Sequence, residues 1–168
     1  MTTEIDATSR TEPVIIMTRV FDAPRELIWR VSNDPAHIVR WWGGEGFTNP
    51  VCEMDLRPGG TWRHVMRAPD GTELRFNFVF VEVDPPRRVS WRAVDSGPSA
   101  PPSILQTVTL EDLGDGRTRW TLVARADSFA DRDAAVDMGY SGVIARSLDA
   151  MVRYMKTLDG ALEPAGGR

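Results

Sequence analysis

The stretch Arg19-Val20-Phe21-Asp22-Ala23-Pro24-Arg25-Glu26-Leu27-Ile28-Trp29, continued by Asp34-Pro35-Ala36-His37-Ile38-Val39-Arg40-Trp41-Trp42-Gly43, decides how the rest of the chain is read. The β-rich run from Val14 to Phe21 enters it as a strand and stops at Asp22-Ala23-Pro24, where aspartate suits a helix cap and proline the first turn. A first short helix then buries Leu27, Ile28 and Val31. Asp34 as cap and Pro35 at the first helical position start a second, which carries Ile38, Val39, Trp41 and Trp42 before Gly43-Gly44 ends it. The expected opening is therefore one strand followed by two short helices that deliver a tryptophan pair.

Downstream the period changes to two. Cys52, Met54 and Leu56 alternate with Glu53 and Asp55 until Pro58-Gly59-Gly60 forces a turn. Ala68-Pro69-Asp70-Gly71 then reads as a type I turn closed by a left-handed glycine, the signature of a three-residue hairpin loop. Pairing Ala68 with Thr72 sets Met66 opposite Leu74, His64 opposite Phe76 and Trp62 opposite Phe78, all on the face of Phe80. Arg63, Arg67, Glu73 and Arg75 fall on the other face, and a slip of one residue would mix the two sets. Val89, Trp91 and Ala93 alternate with Arg88, Ser90 and Arg92 in a further strand, and Ser96 to Pro102 reads as an exposed irregular loop. A last hairpin points Ile104, Gln106, Val108 and Leu110 inward, turns at Leu113 to Gly116, and returns Trp120, Leu122 and Ala124 to the same side. Asp131 to Leu158 reads helical with a break at Gly139. Tyr140, Ile144, Leu148, Met151, Met155 and Leu158 form its apolar stripe, and Arg146, Asp149, Arg153 and Lys156 lie opposite.

An antiparallel sheet with one apolar face needs a cover, and the C-terminal helix, roughly 30 Å long over about 20 residues, is long enough to supply it. The fold class is α+β. Residues 1–12 and 159–168 lack periodicity and are expected to be disordered tails around one domain spanning 13–158.

With 168 residues, 42% hydrophobic and 26% charged, the composition is that of a globular domain with one core. A net charge of -4 with scattered basic residues argues against nucleic acid, whose binders cluster Lys and Arg. No apolar run approaches the ~20 residues of a membrane span, and the N-terminus lacks the basic and apolar regions of a signal peptide, so a cytoplasmic location is expected. His37, His64 and the single Cys52 are too dispersed for a metal signature. Gly43-Gly44-Glu45-Gly46 follows a helix and lacks the lysine of a phosphate loop, so no metal and no cofactor are expected.

Six elements carry a resemblance: Thr18 to Pro24, Trp41-Trp42-Gly43, Asp55 to Gly60, Met66 to Gly71, Glu82 to Arg87 and Leu110 to Gly116. They resemble the family similar to the activator of the heat-shock-protein-ninety ATPase, within the START-like, birch-pollen-allergen-like superfamily. The resemblance spans nearly all of Val14 to Leu158 and implies a helix-grip fold, a curved antiparallel sheet around a long C-terminal helix, with a hydrophobic cavity. It supplies no catalytic residues. Where relatives have Gly-Trp ahead of the closing helix, this chain has Gly139-Tyr140, and Ser147 interrupts the apolar stripe; both add polarity to the interior.

The expected function is binding of a small apolar or aromatic molecule. The expected lining is Trp42, Trp62, His64, Met66, Phe76, Phe78, Trp91, Trp120, Tyr140, Ile144, Ser147 and Met151. Two other readings stand beside it. A cyclase or aromatase-type enzyme would use His64 or Tyr140 to handle a proton, and a chaperone cofactor would act through its surface. Cys52, on an apolar alternation, reads as a small core residue, and a homodimer is left open.

Overall fold

The computed structural model describes residues 2–94 and 103–158, so the loop expected at Ser96 to Pro102 and the C-terminal tail lie outside the described residues. Among the described residues eight strands form one antiparallel sheet: β1 (Glu4–Asp6), β2 (Val14–Phe21), β3 (Thr48–Met54), β4 (Thr61–Arg67), β5 (Glu73–Asp84), β6 (Arg88–Ala93), β7 (Ile104–Asp112) and β8 (Thr118–Ala126). Their order across the sheet is β1-β2-β8-β7-β6-β5-β4-β3. Helices α1 (Arg25–Asn33) and α2 (Pro35–Ile38) follow β2, and α3 (Phe129–Asp137) and α4 (Tyr140–Leu158) follow β8. The fold is the α+β helix-grip arrangement, with α4 laid on the inner face of the sheet through Leu148, Met151 and Met155.

The hairpin chemistry sets the register. The Ala68 N–H donates to the Thr72 carbonyl at 2.8 Å, and Gly71 sits at φ +90°, where an L side chain is strained. Trp62 pairs with Phe78, His64 with Phe76 and Met66 with Leu74, as the alternation requires. Leu74 is nevertheless 44% exposed, although its partner Met66 is buried beneath the Gly43 turn. On the outer face Arg63 meets Glu53, Arg67 meets Glu73 and Arg119 meets Glu111, exposed pairs that are each worth little but leave the inner face to apolar groups. Pro50, which cannot donate to a ladder, sits at a register shift of the edge strand β3.

Two local expectations are corrected. Pro24, not Asp22, occupies the cap position of α1: its carbonyl accepts from Leu27 and Ile28, and no side chain caps the helix. Asp34 does cap α2, accepting from the Ala36 N–H at 2.9 Å. The N-terminal stretch expected to fray contributes the edge strand β1, paired to β2 from Glu4↔Thr18 to Asp6↔Ile16. Its polar composition conceals that pairing, which uses backbone groups, and buried Arg132 of α3 holds the segment by donating to the Ser9 and Val14 carbonyls. Asp149 is exposed opposite the apolar stripe of α4, as expected, and has a partner there. It accepts from Arg19 at 2.6 Å, and Arg19, 6% exposed on the inner face of β2, ties α4 to the sheet. Gly139, at φ +84°, makes the expected break between α3 and α4.

Candidate functional site

Between the inner face of the sheet and α4 the side chains do not close completely. A cavity of about 50 Å³ remains, bounded by α1, the turn after α2, strands β4, β6, β7 and β8, and α4. Its wall is dominated by tryptophan, because α1 supplies Trp29, the turn after α2 supplies Trp41 and Trp42, and the strands supply Trp62, Trp91 and Trp120. Flat, rigid indoles at the junction of two element types leave gaps that branched aliphatic side chains would fill.

Six of the residues expected to line a cavity do so: Trp42, Trp62, Trp91, Trp120, Ile144 and Ser147. The other six sit elsewhere. His64 is fully buried behind the wall, Met66 is packed under Gly43, Phe76 stacks on Phe78 with centroids 5.7 Å apart, and Phe78 packs on the far side of Trp62 at 4.8 Å. Met151 faces α1, where its sulfur accepts from Ser32 Oγ at 3.7 Å. Tyr140 stands outside the wall and reaches it only through its hydroxyl, which donates to Gln106 Oε1 at 2.7 Å. Alternation along a strand places these residues on the inner face but does not say how far along that face the helix reaches, hence the mixed outcome.

The sequence reading missed Trp29, Ser32, Asn33, Trp41, Val89, Gln106, Val108, Leu110, Leu122 and Leu148. Gln106 had a usable signal: it is the one polar residue in the inward run Ile104, Gln106, Val108, Leu110. The α1 residues had none, since the tilt of a short helix against a sheet is a tertiary outcome.

His64 is held in a closed hydrogen-bond set. Asn49 donates both amide hydrogens, to the carbonyls of Val39 and Trp42 at 3.1 Å each, so its Oδ1 accepts from His64 Nε2 at 2.7 Å. The other ring nitrogen accepts from Trp62 Nε1 at 3.2 Å. The imidazole is therefore neutral with its proton on Nε2; a second proton on Nδ1 would confront the indole N–H. Burial pushes its pKa down to about 4. With both nitrogens occupied, His64 has nothing to offer a substrate. Enclosure of the Tyr140 hydroxyl raises its pKa above the ordinary phenol range, and its proton is committed to Gln106. Burial likewise pushes the Cys52 thiol up to about 11, which disfavours the thiolate at neutral pH.

Three polar groups reach the cavity wall from the sheet and α4. Ser147 accepts from the Gly43 N–H at 2.9 Å and donates to the Val143 carbonyl at 2.8 Å, fastening the glycine turn to α4. Gln106 is engaged through its oxygen. Trp91 Nε1 is buried without a partner among the described residues. Two other wall indoles are satisfied, Trp41 by the Val31 carbonyl at 2.9 Å and Trp62 by His64. Among the described residues no cluster of His, Cys, Asp and Glu is arranged to hold a metal ion, and no helix is long and apolar enough to cross a membrane.

The description of Activator of Hsp90 ATPase homolog 1-like proteins matches residues 22–156. The chain belongs to that family. The match begins just after β2 and runs nearly to the end of α4, so it includes every helix and all but the first two strands. Solved structures with the same family fold include a protein from Nitrosomonas europaea, 22% identical over 90% of this chain and 99% of that one with a TM-score of 0.79. A protein from Mycobacterium smegmatis is 24% identical over 89% of this chain and 94% of its own, with a TM-score of 0.78. A solution structure of a protein from Arthrobacter aurescens is 22% identical over 96% of both chains, with a TM-score of 0.81. At these identities the likeness establishes the fold. A comparison with curated proteins gives no match.

Proposed function

We propose that this Activator of Hsp90 ATPase homolog 1-like protein binds a small apolar or aromatic molecule between its sheet and α4. The observation that carries the reading is the tryptophan-walled cavity, lined by no charged side chain among the described residues. Its volume of about 50 Å³ has room for roughly three waters and is well below the ~300 Å³ of common ligand pockets. A ring therefore enters only as the half-buried rim residues Trp29, Trp42 and Ile144 move aside. That favours single-ring compounds over steroids or long acyl chains. Binding fits the site better than catalysis, since His64 and Tyr140, the two proton-handling candidates, are both committed to internal hydrogen bonds.

Thermal unfolding of the protein with a panel of single-ring aromatics tests the proposal. A compound at about 100 times its dissociation constant adds roughly 2.7 kcal/mol. At about 2 to 4 °C per kcal/mol for this chain length, the midpoint rises by roughly 5 to 10 °C. The same compound quenches tryptophan emission. A panel that yields neither a shift nor quenching removes the cavity reading.

A further inference from the structure

We propose that Trp91 and Gln106 form a two-donor site for a carbonyl oxygen, so that the cavity's ligand is a neutral aromatic carbonyl compound. This rests on the cavity reading above and names its ligand class. Trp91 on β6 and Gln106 on β7 are direct partners in the antiparallel ladder, so their side chains rise side by side from the same face. Both line the cavity and both are 8% exposed. Each has a donor to give. The Trp91 indole N–H is buried without an acceptor among the described residues, on a ring that lines the cavity; an unpaired buried donor is costly, and a carbonyl that enters as the neighbouring side chains move aside would relieve that cost. The Gln106 oxygen is taken by the Tyr140 hydroxyl at 2.7 Å, which turns the amide so that its NH2 group is the end left to offer.

The neighbouring groups sharpen the chemistry. Ser147 already donates and accepts inside the protein, so it does not compete for the ligand's oxygen. The indoles of Trp41 and Trp62 are likewise committed. Two adjacent neutral donors match the two lone pairs of one carbonyl oxygen. With no cation among the described lining residues to balance a carboxylate or phenolate, they match a neutral ligand. Indole faces around the rest of the cavity suit the aromatic ring that carries the carbonyl.

Acetophenone and α-methylstyrene differ by replacement of the carbonyl oxygen with a methylene group at nearly constant shape, and they are the probes. Titration of both, followed by tryptophan quenching and thermal shift, should show wild-type protein binding acetophenone about tenfold more tightly. Trp91→Phe should bring the two within about twofold. A thermal unfolding midpoint within a few degrees of wild type in the absence of probe demonstrates that the variant is folded. Gln106→Leu should reduce the preference in the same direction. Equal affinity of wild type for the two probes overturns the donor pair and leaves the cavity reading standing. Binding of neither overturns both. A preference that persists in Trp91→Phe and Gln106→Leu overturns the assignment of these residues.

Discussion

The inner face of the sheet has two halves that treat their polar groups in opposite ways. Toward the β3–β4 edge, Asn49, His64 and Trp62 complete one another's hydrogen bonds, Phe78 and Phe80 pack against Trp62, and Phe76 stacks on Phe78. Toward β6 and β7, Trp91 keeps an unpaired N–H beside a cavity of about 50 Å³. Trp62 belongs to both halves: its indole nitrogen serves His64, while its ring faces Trp91 edge-on at 5.7 Å. A domain that can satisfy a buried histidine completely has the means to close its interior. The other half is left unfilled, and Trp91 Nε1 is one of three buried side-chain nitrogens without a partner among the described residues, with Arg19 Nε and Arg25 Nε.

The largest expected effect tests whether the two halves differ in packing. Phe78→Ala removes a buried ring from the filled half and should cost about 3 to 5 kcal/mol, lowering the melting midpoint by roughly 6 to 20 °C. Trp91→Ala, which widens an existing void and removes an unsatisfied donor, should cost markedly less despite the larger side chain. Denaturant midpoints at unchanged m-value compare them directly, and equal losses would erase the distinction.

The next effect belongs to His64 alone. Its folded-state pKa of about 4 lies below its ordinary value of 6.5, so the unfolded chain takes up a proton that the native ring refuses. The stability contributed by burying the neutral ring is fully present above about pH 6.5, falls as the pH drops toward 4, and levels off below it; the total is about 3 kcal/mol. Melting midpoints of wild type and His64→Gln from pH 7.5 to 3.5 measure this. The variant starts less stable but declines less steeply across that window, and parallel curves would mean that His64 exchanges protons freely.

The smallest effect is the most pointed. Trp91→Phe in the absence of ligand should change stability by less than about 1 kcal/mol, because the smaller apolar area that phenylalanine buries is offset by removal of a donor that had no acceptor. Trp62→Phe, which strands His64 Nδ1 instead, should cost more than Trp91→Phe. Urea unfolding of the two variants ranks them, and the reverse order would place the unsatisfied polar group on the wrong side of the interior.

Much of this architecture is legible along the chain. Ala68-Pro69-Asp70-Gly71 sets the β4–β5 register through local backbone geometry, Asp34-Pro35 starts α2, and Gly139 divides α3 from α4. The inward side of β7 and β8 follows from strict alternation. The site is only half legible. Trp42, Trp62, Trp91, Trp120, Ile144 and Ser147 were within reach of pattern reasoning, but so were Met66, Phe76, Phe78 and Met151, which pack away from the cavity. Period-two and period-3.6 patterns report which face a residue occupies and carry no information about its depth under the covering helix. His64 shows the same limit. A histidine among apolar neighbours invites a catalytic role, and only the Asn49 contact, 15 positions away in sequence, reveals that its proton is fixed.

The sequence by itself determined the family, the α+β order of elements, the hairpin register and the apolar identity of the inner face, because turns, caps and periodicities are set by residues within a few positions of one another. The tertiary structure alone decided the pairing of Glu4–Asp6 with β2, the Arg19–Asp149 tie between sheet and helix, and the closed set around His64. It also decided that an unfilled space remains beside Trp91 and Gln106. Those outcomes depend on how α1 and α4 settle on the curved sheet, and the last ångström of that approach, which separates a packed ring from a cavity wall, is fixed by the summed shapes of side chains far apart in sequence.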